Sequence, residues 1–285
     1  MWLLTIAVAV IGANLLYYFG LIDLSKSVYQ RPVLPWLSLL LATASKDANT
    51  FPLMHASIRR GLFLEYIGGE DTPSEVRDEL FITSKIWVAN FAKERLIESL
   101  KESLQKLQTD YLDLTLIHWP SPNDEIAVAH YLGELLDAKR QGLTAAIGVS
   151  NFTIAHLRQA IDAVGVDEIA TNQVEIHPLL QNRKLVDFAR QQGIHLTAYM
   201  PLAYGKVLAE PEIQRIAAAH GASPAQVALA WVVRQPGVIA IPKALEPAHL
   251  RLNADAAGLQ LSAEDLALID TAYPPPRGKR HLQMV

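Results

Sequence analysis

Apolar positions recur along most of this chain with two alternating periods. "FITSKIW", starting at residue 81, is a short apolar run that predicts a strand. "KERLIESLKESLQKLQ" then places Leu96, Leu100, Leu104 and Leu107 at helical spacing between charges, which predicts an amphipathic helix. The same alternation returns five more times. "DLTLIHW" precedes a helix over about 126–141, "AAIGVS" a helix over 153–163, and "IATNQVEI" a helix over 182–192. "HLTAYM" precedes helices around 210–220 and 224–234, and "VIAIPKA" precedes one over 247–257. Repeated βα units without a linker predict parallel strands with helical crossovers, either a closed barrel or an open doubly wound sheet.

Two features favour the barrel. No G-x-G-x-x-G opens a helix after any strand, so the dinucleotide fingerprint of an open Rossmann sheet is missing. Each strand also ends in chemically capable side chains: Lys85, His118, Ser150 with Asn151, Gln173 with Glu175, Tyr199, and Lys243. In a parallel barrel those tips share one mouth, where active sites form. In "DLTLIHWP" an apolar run closed by Pro120 predicts a strand buried on both faces with His118 at its escaping tip.

Composition narrows the function classes. With 285 residues, 51% of them apolar, the chain can bury a sizeable core. A net charge of −4 supplies no basic field, so no nucleic-acid partner is expected. Zero cysteines exclude disulfides, thiolate metal sites and cysteine nucleophiles, and fit a reducing compartment such as the cytoplasm. His177 and His195 are isolated, so a metal-dependent hydrolase is disfavoured; His177 in "EIHPLLQ" is expected to position its loop or line the pocket. Residues 2–22 carry no formal charge and are long enough to span a bilayer, which makes a membrane anchor the alternative to a buried element or aberrant leader. A second apolar stretch, 33–44, is too short to span.

The segments "FITSKIW", "LTLIHWP", "IGVSNF", "NQVEIHPLLQ", "AYMPLAYGK" and "AIPKA" together resemble the aldo-keto reductases, especially the bacterial branch acting on diketogluconate and methylglyoxal-type carbonyls, from about residue 77 to 272. The resemblance implies an α/β fold, a (β/α)8 TIM barrel, with a divergent segment at 1–75 and the barrel over 76–285. It also implies NADPH-dependent reduction of small aldehydes or ketones to alcohols by a monomer. Lys85 would lower the pKa of a catalytic tyrosine, and His118 would orient the substrate carbonyl. Ser150, Asn151 and Gln173 would hold the nicotinamide carboxamide, Tyr199 would stack on its ring, and the loop through Met200 and Leu202 would run along the pyrophosphate. Lys243 would sit near the 2′-phosphate and Asn253 at the adenine; Trp87 and Trp119 would line the substrate pocket.

The chain departs from that pattern before Lys85. The stretch resembling G-Y-R-x-x-D-T-A-x-x-Y-x-N-E, which carries the family's tyrosine acid and an aspartate, is missing; "KDANTF" echoes it faintly, with Asp47 as a remnant, and Tyr66 is out of register. The first one or two βα units are therefore expected to be divergent or unformed, with the runs at 2–22 and 33–44 as candidate strands. Ala244 and His249 replace the serine and arginine that bind the 2′-phosphate, with Arg251 nearby as compensation. Reductase activity impaired for want of the acid is the expectation, with proton donation falling to His118 or water. The alternative is a non-catalytic NADP-binding or membrane-tethered scaffold.

Overall fold

The computed structural model describes residues 54–58, 62–66, 80–244 and 247–275. Six parallel strands run through it in chain order: β3 (Leu80–Ile86), β4 (Leu112–Ile117), β5 (Thr144–Ser150), β6 (Ile169–Glu175), β7 (His195–Tyr199) and β8 (Val238–Ala240). Between them lie α1 (Arg95–Lys106), α2 (Val128–Arg140), α3 (Ile154–Val164), α4 (Arg183–Gln192), and the pair α5 (Pro211–His220) and α6 (Pro224–Val233). After β8 come α7 (Pro247–Asp255) and α8 (Ala263–Ala272). Among these six strands the order never reverses, so this part of the sheet advances one neighbour at a time as a barrel does, whereas a doubly wound sheet turns back at a switch point.

The edge beside β3 is built differently. Strands β1 (Met54–Ile58) and β2 (Leu62–Tyr66) form an antiparallel hairpin, and β1 pairs antiparallel with β3 in the register Ala56↔Ile82. Three residues suffice to turn the chain between antiparallel strands, while a parallel pair needs a crossover of a dozen or more. The candidate strands at 2–22 and 33–44 lie outside the described residues. Among the described residues β8 pairs only with β7, so their sheet carries an edge there.

Ladder register sorts the side chains. The pairs Lys85↔Leu116 and Leu116↔Gly148, then Ser150↔Gln173 and Glu175↔Tyr199, put one set of alternating positions on a common face. Opposite them, Ile82, Ile86, Ile117, Ile147, Val149, Val174, Leu196, Val238 and Ala240 pack with Leu96, Leu100, Leu135, Leu157 and Ile213 of the helices into one apolar core. Each Val, Leu or Ile among them contributes about 1.5–3 kcal/mol when fully buried. Leu114 and Leu116 are also buried, but on the other face.

Helix ends follow local chemistry. Ser223 with Gln226, and Ser262 with Asp265, form reciprocal capping boxes, and Thr153 accepts the His156 N–H at the start of α3. Proline at the first turn begins both α5 and α6.

A register shift between Ile147 and Val149 brings β6 close to Gly148. A Cβ there would lie 2.7 Å from the Thr171 carbonyl oxygen and 2.8 Å from a Leu116 methyl. Gly148→Ala is therefore expected to cost about 1–3 kcal/mol of unfolding free energy, read as a lower urea midpoint at unchanged slope. An unaltered midpoint would show that the strands have room to separate.

Candidate functional site

Strand ends place the chemistry on the shared face. Lys85, one residue before the end of β3, is 8% exposed. His118 follows β4, anchored by its N–H donating to the Ile86 carbonyl at 3.0 Å, and its ring meets Trp87 edge to face at 5.1 Å. Ser150 ends β5, and its hydroxyl donates to the Gln173 carbonyl at 2.8 Å.

Asn151 ties three strands together. Its backbone is left-handed, φ 61°, a conformation asparagine tolerates better than most residues. The side-chain Nδ2 donates to the His118 carbonyl at 3.0 Å and to Ser150 Oγ at 3.2 Å, while Oδ1 accepts from the Tyr199 hydroxyl at 2.8 Å. Both N–H donors of the amide are thus used, one lone pair of Oδ1 is left to accept, and the orientation of the amide follows from its partners. Gln173, beside it on β6, is 3% exposed, and its side-chain amide takes no partner among the described residues. A free amide near a phenol ring is a donor set that a carboxamide on a flat ring would satisfy.

The remaining candidates spread outward from this cluster. Met200 and Leu202 are half-buried in the loop after β7; Met200, Ala203 and Tyr204 all have positive φ, and Tyr204 is exposed. Trp119 is half-buried, and its Nε1 lies buried without a hydrogen-bond partner. Lys243 is not a strand tip: β8 ends at Ala240, and Lys243 is exposed in the loop after Pro242. Asn253 is buried in α7, and no hydrogen bond joins it or Lys243 to the cluster. Asp47 lies outside the described residues. No single helix among the described residues is long and apolar enough to cross a membrane, and residues 2–22 lie outside them.

A model of the aldo/keto reductase family matches residues 61–274. The chain belongs to the aldo/keto reductase family. It is 62% identical over 195 residues to the methylglyoxal reductase DkgB of Yersinia pestis, covering 68% of this chain and 73% of that protein. Against the methylglyoxal reductase DkgB of Escherichia coli O157:H7 it is 58% identical over 189 residues, 66% of this chain and 70% of that one. The crystal structure of an aldo/keto reductase from Klebsiella pneumoniae in complex with NADP and acetate matches with a TM-score of 0.68 at 34% identity, over 74% of this chain and 76% of that one. The six βα units from β3 onward are therefore those of the aldo/keto reductase barrel, and the family match begins earlier than residue 77.

Electrostatics corrects one expectation. His118 does not keep an ordinary imidazole pKa: burial first, and then the positive charge of Lys85, push it down from 6.5 to about 3. Near neutrality its ring is uncharged, able to donate a hydrogen bond but unable to act as an imidazolium acid. Burial and the Glu175 carboxylate raise the Tyr199 phenol, keeping it a neutral donor to Asn151.

The depressed His118 pKa couples to stability. The unfolded chain binds a proton at His118 below about pH 6.5, and the folded chain does so only near 3, so stability falls as pH drops through that window. Relative to His118→Gln, the wild type should lose at most about 1.4 kcal/mol per pH unit between 6.5 and 3, measured by urea unfolding across that range. Parallel stability curves would contradict a buried neutral imidazole.

Proposed function

We propose that this aldo/keto reductase uses NADPH to reduce small carbonyl compounds of the methylglyoxal or diketogluconate type to alcohols, as a monomer in the cytoplasm. The network Tyr199–Asn151–His118 beside Lys85 carries the reading: it supports a flat-ring cofactor next to a neutral imidazole and a cation. Relatives named methylglyoxal reductases and a neighbour holding NADP point the same way.

When bound, NADPH supplies a hydride to the carbonyl carbon. Tyr199 offers the face on which the nicotinamide lies, and the Gln173 amide, with Ser150 and Asn151, holds the carboxamide so that one face of the ring looks at the substrate. His118 donates an N–H to the carbonyl oxygen, and the nearby Lys85 ammonium favours the negative charge developing there. Trp87 and Trp119 shield the pocket from water. Farther along, the Met200–Leu202 loop follows the pyrophosphate, and Lys243 and Asn253 receive the adenosine end.

The alcohol's proton comes from water, because His118 is neutral and the family's tyrosine stretch is missing from the sequence before Lys85. Turnover is slow for that reason, since a positioned acid contributes about 10²–10⁴-fold.

The purified full chain should bind NADPH, seen by cofactor fluorescence, and oxidise it slowly with methylglyoxal. Tyr199→Ala is expected to weaken NADPH binding about tenfold. His118→Ala should abolish the residual turnover while leaving NADPH affinity within about twofold. Brisk turnover surviving His118→Ala would overturn the assigned roles.

A further inference from the structure

Glu175 and His177 form a pair on the edge of this site. Glu175 is the last residue of β6, two positions beyond Gln173 and therefore on the same face, and its register partner on β7 is Tyr199. His177 Nε2 meets its carboxylate at 2.9 Å, and Asn182 Nδ2 donates to its backbone carbonyl at 2.7 Å, so the turn after β6 is fastened around it. The carboxylate side chain is 17% exposed and the imidazole 6%. Among the described residues no lysine or arginine forms an ion pair with Glu175.

His177 Nδ1 is buried with no hydrogen-bond partner, so Nε2 is the ring nitrogen that faces the negative carboxylate. The Tyr199 phenol feels that charge, since the Glu175 carboxylate acts with burial to hold it protonated.

Resting on the reductase reading above, we propose that Glu175, held by His177, is the counter-charge for the positive nicotinamide of the oxidised cofactor on Tyr199. During reduction a C–H bond of the cofactor breaks and a C–H bond forms at the carbonyl carbon. The carbonyl π pair moves to oxygen, which takes a proton from water, and the ring passes from neutral to positive. A carboxylate beside Tyr199 favours that change, while Lys85, on the β3 side of His118, favours the negative oxygen. Glu175 touches none of the reacting atoms; it acts through its field and through Tyr199.

The test is the ratio of NADP⁺ to NADPH affinity on the full chain, by cofactor fluorescence for NADPH and calorimetry for NADP⁺. Glu175→Gln keeps the acceptor for His177 and removes the charge. It should weaken NADP⁺ relative to NADPH by roughly threefold to tenfold, and Glu175→Asp should hold the ratio near the wild-type value. Glu175→Ser, smaller and uncharged, gives the same readout if the glutamine variant does not fold. Equal weakening of both cofactors, or an unchanged ratio, would overturn the counter-charge and leave only a turn-fastening role. A wild-type chain that binds neither cofactor would instead remove the reductase reading and this inference with it.

Discussion

Side-chain alternation along a hydrogen-bonded parallel sheet is the constraint on which the molecule depends. Successive residues point to opposite faces, so the registers from β3 to β7 decide together which side chains meet the helices and which meet the pocket. A slip of one residue in any ladder would turn Lys85, Gln173 or Tyr199 into the apolar core and bring Ile86, Val174 or Ala198 out of it. The cost of burying an unpaired lysine or amide there makes such slips prohibitive. Core packing and site assembly are consequently one event. The irregularity between β5 and β6 is tolerated because it falls at Gly148, where there is no side chain to collide with the Thr171 carbonyl.

Within that frame the site is fixed by hydrogen bonds that cross between strands. Asn151 accepts a left-handed backbone and in return connects His118 after β4, Ser150 on β5 and Tyr199 on β7. Its neighbour Phe152 is clamped by Asn172, whose Oδ1 accepts the Phe152 N–H at 3.3 Å and whose Nδ2 donates to the Phe152 carbonyl at 3.0 Å. The short turn leaving β5 is thereby held from both sides. Such shared amides hold the pocket's shape before any ligand arrives, which lowers the ordering cost of binding.

Most of this order was legible in the chain. Strands β3 to β8 and the helices from α1 to α7 lie within a few residues of where hydrophobic spacing puts them, because a buried parallel strand and an amphipathic helix each leave a strong periodic trace. The β1–β2 hairpin left none: "MHASI" and "LFLEY" are five residues each, too short for a periodic trace. Helix α8 escaped too, although Ser262 and Asp265 spell a capping box. Lys243 looked like a strand tip, but Pro242 offers no N–H to a ladder and β8 stops at Ala240. The charge state of His118 could not be read from residue types, since it arises from burial and from Lys85, which is far away in sequence.

The distribution of charge around the pocket follows from what a hydride transfer has to do. The reaction separates charge, negative at the oxygen and positive at the ring, and a site helps only where its own charges oppose the ones that develop. Lys85 lies near the end of β3 and Glu175 at the end of β6, three strands further round the sheet. Between them stand neutral groups: the His118 imidazole and the Tyr199 phenol, which burial holds uncharged, and the Asn151 and Gln173 amides. Had His118 retained an ordinary pKa, a second cation would arise beside Lys85 on acidification, repelling it and penalising the buried pocket. On the function proposed above, neutral donors in the middle and opposite charges at the ends would oppose the charges that a hydride transfer develops. That arrangement leaves proton delivery as the step the described residues serve least.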